Sequence, residues 1–141
     1  MKRKIYIAAD HAGYLLKQEI INNFADYQIV DLGCDSADNA VDYPDYANLL
    51  ASKLETDEAA LGVVICGTGV GVSIAANRYK HIRAALSHNE EIAKLSREHN
   101  DANVLALGAR FLSSEVVIKI VKKFLNSEFL GGRHKMRVEK L

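Results

Sequence analysis

The segment Cys66-Gly67-Thr68-Gly69-Val70-Gly71 combines a thiol with three glycines at alternate positions. Glycines at that spacing let successive backbone N–H groups converge on one point without obstruction by side chains. Set between a strand and the first turn of a helix, such a loop forms an anion cradle. It is not the dinucleotide fingerprint, because Val72 stands where a third glycine is needed, and no Gly-Lys-Ser/Thr follows as in a P-loop. The same pattern also suits a tight strand-to-helix turn. Cys66 is open to two readings, a small buried hydrophobe or a thiolate favoured by the neighbouring amides. A thiolate beside an anion cradle can take a proton from carbon while the cradle holds the resulting enolate. Thr68 either relays protons between oxygens or bonds within the turn.

Three further groups have the chemistry to complete such a site. Asp10-His11 follows an apolar run, as a helix cap with an exposed imidazole or as part of a ligand pocket. His99-Asn100-Asp101 closes a helical segment, where a histidine either caps helix carbonyls or serves as acid and base near neutral pH. Arg133 and Arg137 are four apart, so on a helical turn they share a face, as a phosphate clamp or as a solvated basic tail. Arg110 follows an apolar strand directly. His81, His88 and His134 have no comparable context and read as structural. The histidines lack metal-ligand spacing, so no metal site is expected.

The elements that must position these residues alternate regularly. Short apolar runs at 5–9, 27–32, 61–66, 82–86 and 102–107 read as strands. Helical periodicity marks 13–24, 72–79 and 89–98, and a fourth helix opens at Tyr43-Pro44-Asp45, since proline suits a first turn. Ser113-Ser114-Glu115 caps a last long helix through Phe124, and Gly131-Gly132 precedes a basic tail. Strand and helix in alternation predict an α/β fold with a five-stranded parallel sheet covered on both faces. In such sheets ligands sit beyond the carboxyl ends of the strands. Asp10-His11, the Cys66 loop and Arg110 all fall there.

Composition sets the outer limits. The chain has 141 residues, 49% hydrophobic and 26% charged, which predicts one soluble domain spanning 1–141. Eighteen basic residues balance eighteen acidic ones, so neither nucleic acid nor an anionic membrane is expected as a charge-driven partner. Two cysteines without a CxxC predict reduced thiols and a cytoplasmic setting. The apolar run after Met1-Lys2-Arg3-Lys4 is too short for a signal segment, and no stretch approaches the ~18 residues of a membrane span.

Six motifs, in order, carry a resemblance to a known family. They are Asp10-His11-Ala12-Gly13, Asp42-Tyr43-Pro44-Asp45-Tyr46-Ala47, the Cys66 loop, Ser73-Ile74-Ala75-Ala76-Asn77, Ser96 through Asn103, and Gly131-Gly132-Arg133-His134. The chain resembles the family of ribose-5-phosphate isomerase B and the galactose-6-phosphate isomerase subunits. The resemblance implies a Rossmann-like α/β/α sandwich and a homodimer with sites at the subunit interface, with pairing into tetramers left open. It implies interconversion of ribose 5-phosphate and ribulose 5-phosphate without cofactor or metal. By position, Cys66 is then the base moving a proton between C2 and C1, with Thr68 and His99 assisting at oxygen. Asp10 and Asn100 hold sugar hydroxyls, and the amides of Gly67, Thr68, Gly69, Val70 and Gly71 stabilise the enediolate. His11, Arg110, Arg133 and Arg137 bind phosphate, some from the partner subunit and with the 131–141 segment contributing, and Tyr43 lines the pocket. One branch of the family replaces the cysteine by a downstream glutamate; Ser73 to Ala76 holds no acid, so this chain resembles the cysteine branch. A hexose 6-phosphate isomerase, acting on allose or galactose 6-phosphate, is the nearest alternative. A non-catalytic module binding a sugar phosphate or nucleotide is another, and thiol redox chemistry at Cys66 a third.

Overall fold

A computed structural model describes residues 2–141. Five parallel strands form one sheet in the order β2-β1-β3-β5-β4: β1 (Lys4–Ala9), β2 (Gln28–Asp31), β3 (Leu61–Cys66), β4 (Ala84–Leu86) and β5 (Val104–Gly108). The helices are α1 (Tyr14–Asn23), α2 (Tyr43–Thr56), α3 (Val70–Ala76), α4 (Glu90–Asn100), α5 (Ser114–Asn126) and α6 (Arg133–Val138). The expected parallel α/β sandwich is what forms. No described helix is long and apolar enough to cross a membrane.

Alternation along the strands divides the core in two. Ile5, Ile7, Val63, Ile65, Leu105 and Leu107 face α1, α4 and α5. Tyr6, Ala8, Val64, Cys66, Val104 and Ala106 face α2 and α3. All six residues of β3 are buried, as a central strand covered on both faces requires. Gly62 lets α2 come close, since a Cβ there would lie 2.8 Å from Leu50. The chain runs from β1 outward to β2, then crosses back over β1 to β3, so a switch point falls between β1 and β3.

Among the boundaries that differ from the sequence reading, those of β4 and α3 have a clear local reason. β4 begins at Ala84, not Ile82, because the Asn103 side chain bonds Arg83 N–H at 2.7 Å and the His81 carbonyl at 2.8 Å in place of a strand partner. Helix α3 starts two residues early, at Val70, directly after a left-handed Gly69 (φ 78°), and stops at Ala76. Asn77 then turns its amide onto Ala84, accepting from its N–H and donating to its carbonyl, which covers the open edge of β4. After Gly131-Gly132 the basic tail forms the short helix α6, which packs on α4 and carries Arg133 and Arg137 on the helical turn that their spacing suits.

Candidate active site

The carboxyl ends of β1, β3 and β5 lie side by side, and backbone hydrogen bonds continue past them. Asp10 N–H donates to the Ile65 carbonyl at 3.1 Å, Ala109 N–H to Cys66 at 2.9 Å, and Arg110 N–H to Gly67 at 3.0 Å. These bonds bring Asp10, Cys66 and Arg110 to one edge.

Cys66 is buried on the α2/α3 face, but its sulfur is turned to the loop: Sγ accepts from Gly69 N–H at 3.2 Å. An N–H donor bonds a thiolate more strongly than a thiol. Gly69 is required twice over, by its positive φ and because a Cβ would lie 2.8 Å from the Leu107 carbonyl carbon. Thr68 is exposed, and its Oγ1 accepts from Val70 N–H at 3.2 Å, so the turn-bonding reading of Thr68 holds in this state. The Arg110 guanidinium lies over Gly67, where a Cβ would meet Nη1 at 2.9 Å. The Tyr43 ring occupies the space that a Gly71 Cβ would take, at 2.5 Å. Thus the glycines leave room for an arginine and an aromatic ring at the cradle.

Asp10 is buried and acts as a cap, its Oδ1 accepting from Gly13 N–H at 3.1 Å. His11 is half-buried, and its Nδ1 accepts from Val41 N–H at 3.1 Å. A neutral imidazole whose Nδ1 accepts carries its proton on Nε2, so His11 offers a donor there.

His99, Asn100, Arg133 and Arg137 lie elsewhere. Helix α4 runs back against the strands, so its last turn stands at the amino end of β5. The five residues of β5, at about 3.3 Å each, put roughly 16 Å between that turn and the Cys66 edge. Within one chain the two groups do not meet.

A polar network fixes the turn after Asn100. Asp101 caps α4 in a left-handed conformation (φ 48°). The buried Arg97 reaches its carboxylate at 3.2 Å and also bonds the carbonyls of Ala102 and Ser127. Arg83 bonds the Asp101 carbonyl at 2.7 Å. Burial pulls Arg97 below the ordinary guanidinium range, while Asp101 and Glu128 oppose that shift. Asn100 is exposed and helps line a groove of about 600 Å³ with Ile82, Ala84, Ala102, Val138 and Leu141. Across from it, His99 stacks flat on His134, the ring centroids 4.2 Å apart and the planes 12° from parallel. Sequence reading passed over His134, and only its place one residue after Arg133 in a quoted motif pointed toward it. Among the described residues no group of three His, Cys, Asp or Glu is placed to hold a metal.

The family described as Ribose/Galactose Isomerase matches residues 5–141. Ribose-5-phosphate isomerase B of Escherichia coli (strain K12) is 42% identical over 139 residues, covering 97% of this chain and 93% of that protein. A probable ribose-5-phosphate isomerase B of Mycoplasma pneumoniae is 49% identical, covering 100% and 94%. Among solved structures, a ribose 5-phosphate isomerase from Thermotoga maritima superposes with a TM-score of 0.95 at 44% identity, covering 99% of this chain and 97% of that one. Ribose-5-phosphate isomerase B from Mycoplasma genitalium, solved with bound ribulose-5-phosphate, gives 0.94 at 45% identity, covering 99% and 94%. The chain belongs to the ribose/galactose isomerase family, and it is an aldose–ketose isomerase.

Proposed function

We propose that the chain interconverts ribose 5-phosphate and ribulose 5-phosphate as a homodimer, with each site built from the Cys66 edge of one protomer and the His99 edge of its partner. The observation that carries the reading is the separation of these two edges within a single chain. Exposure of Val70 and Ile74, one helical turn apart on α3 beside the cradle, supports it. So does the groove next to Asn100, where Ile82, Ala102, Val138 and Leu141, among polar neighbours that include Arg78, Lys80 and Arg83, offer that stripe an apolar receptor on a second copy. The relatives named above supply the substrate.

The chemistry follows from what such a site contains. His99 of the partner protonates the furanose ring oxygen while the proton on O1 leaves, and the sugar opens to the aldehyde. The Cys66 thiolate removes the C2 proton, and the electron pair moves into the C1–C2 bond as the carbonyl π electrons pass to O1. The amides of Gly67 to Gly71 meet the negative oxygen. Proton transfer between the oxygens, with Thr68 in reach, moves the charge to O2. Cys66 then returns the proton to C1 as the C2 carbonyl forms. Asp10 and Asn100 orient hydroxyls; His11, Arg110, Arg133 and Arg137 hold the phosphate.

Cys66→Ala is expected to lower kcat by about 10²–10⁴-fold or more, with the fold intact and exchange of the C2 hydrogen in deuterated water lost. Near-normal exchange in that variant would exclude the thiol as base. His99→Ala is expected to lose conversion of ribose 5-phosphate yet still exchange C1 hydrogen of ribulose 5-phosphate. That ketose cannot close a five-membered ring, because its 5-oxygen carries the phosphate. A higher kcat/KM on allose or galactose 6-phosphate than on ribose 5-phosphate would move the substrate assignment to the hexoses.

A further inference from the structure

His134 has no part in the reaction just described, yet it makes the closest aromatic contact of the His99 ring. The contact is tertiary. His99 comes from the last turn of α4 and His134 from the first turn of α6. The segment between is tied down by Leu130 N–H donating to the Glu98 carbonyl at 3.0 Å, and by His134 N–H donating to Gly131 at 3.1 Å.

The charges around the pair are distributed unevenly. On α4, Glu98 faces Lys94 at 3.9 Å, and Arg97 is turned inward to Asp101. On α6, Glu139 faces Lys135 at 3.9 Å, leaving Arg133 and Arg137 beside His134. Among the described residues no carboxylate pairs with either imidazole. Burial, then His99, then the two arginines pull His134 below the ordinary histidine value. All of these influences favour the uncharged form of its flat ring. A flat neutral ring against an acid–base imidazole does restrict that imidazole's rotation. Transfer to a sugar oxygen needs a ring nitrogen held within hydrogen-bond reach and aimed along the bond.

We propose that His134 is a positioning residue for His99, fixing the plane of its imidazole for proton transfer to the sugar ring oxygen. This rests on the reading of His99 given above. His134→Leu keeps bulk and loses the flat ring, whereas His134→Phe keeps the flat ring and loses the nitrogens. In the dimeric protein, the leucine variant is expected to lower kcat on ribose 5-phosphate about tenfold, with KM within about twofold. Its exchange of C1 hydrogen on ribulose 5-phosphate should stay near wild type. The phenylalanine variant should recover most of the lost kcat.

Unchanged kcat in His134→Leu overturns the proposal. So does an equal loss in both variants, or a fall in C1 exchange that parallels the loss of kcat. His99→Ala, measured alongside, separates the two claims. If it keeps wild-type kcat, the role of His99 falls and that of His134 with it. If it loses kcat while His134→Leu does not, only the present inference falls. Should the leucine variant fail to fold, His134→Phe against His134→Asn makes the same comparison of ring with no ring.

Discussion

At the scale of single residues, the cradle is defined by absent side chains as much as by present ones. Gly71 and Gly69 make this testable because they fail differently. Gly71→Ala puts a methyl into the Tyr43 ring at 2.5 Å. Tyr43 is 39% exposed at the start of α2, so it can swing away. The expected outcome is a raised KM for sugar phosphate with a melting temperature near wild type, read by steady-state kinetics beside thermal unfolding. Gly69→Ala has no such escape. It must hold φ near 78° against backbone atoms of Leu107 and Gly108, at a cost of about 1–2 kcal/mol for the conformation alone, and it shifts the amide that bonds Cys66. Loss of both stability and kcat is expected. The thiol, its glycine loop and Arg110 were legible in the sequence because the thiol ends one strand and the other two lie just past strand ends. The packing of Tyr43 on Gly71 was not, since it joins segments 28 residues apart through tertiary contact alone.

At the scale of elements, the turn from α4 to β5 is held by side chains that the periodicity of either element does not reveal. Arg97 reads as one more charged residue on a helix of low hydropathy, yet it is buried and bonds Asp101, Ala102 and Ser127. Arg97→Met leaves these acceptors without their donor. Destabilisation on the order of 3 kcal/mol is expected from urea unfolding, with kcat falling as well because His99 and Asn100 stand on that turn. The short β4 has the same origin: Asn103 and Asn77 take backbone groups that an alternating apolar run would assign to a strand. A second element junction carries a pH signal. Asp57, after α2, bonds Lys4 and Tyr6 of β1, each at 3.0 Å, and those hydrogen bonds hold its carboxyl below the ordinary carboxylate range. A carboxyl lowered on folding stabilises above its unfolded value, and that contribution is lost as pH falls through the folded one, within about pH 5 to pH 1. Asp57→Asn should therefore lose part of its Tm deficit relative to wild type as the buffer is acidified across that range.

At the scale of the whole molecule, the fold puts its two chemically equipped edges on opposite ends of one sheet. Strand direction alone dictates this: residues after a parallel strand and residues at the end of the helix that returns from it cannot share an edge. The order of elements was readable from the sequence, so this separation was too, although the pairing of α6 with α4 and the groove beside Asn100 were not. If two chains complete each other's sites, two inactive variants should complement. Cys66→Ala retains His99, and His99→Ala retains Cys66. A mixed dimer then carries one site with both groups and one with neither. Random exchange at equal concentrations makes half of the dimers mixed, each with one working site of two, so about a quarter of wild-type activity should return. The measurement is turnover of ribose 5-phosphate after the variants are unfolded and refolded together, against each refolded alone. Activity no greater than the sum of the two separate samples would show that each chain works with its own residues. The homodimeric site would then have to be abandoned in favour of a rearrangement within one chain that closes roughly 16 Å.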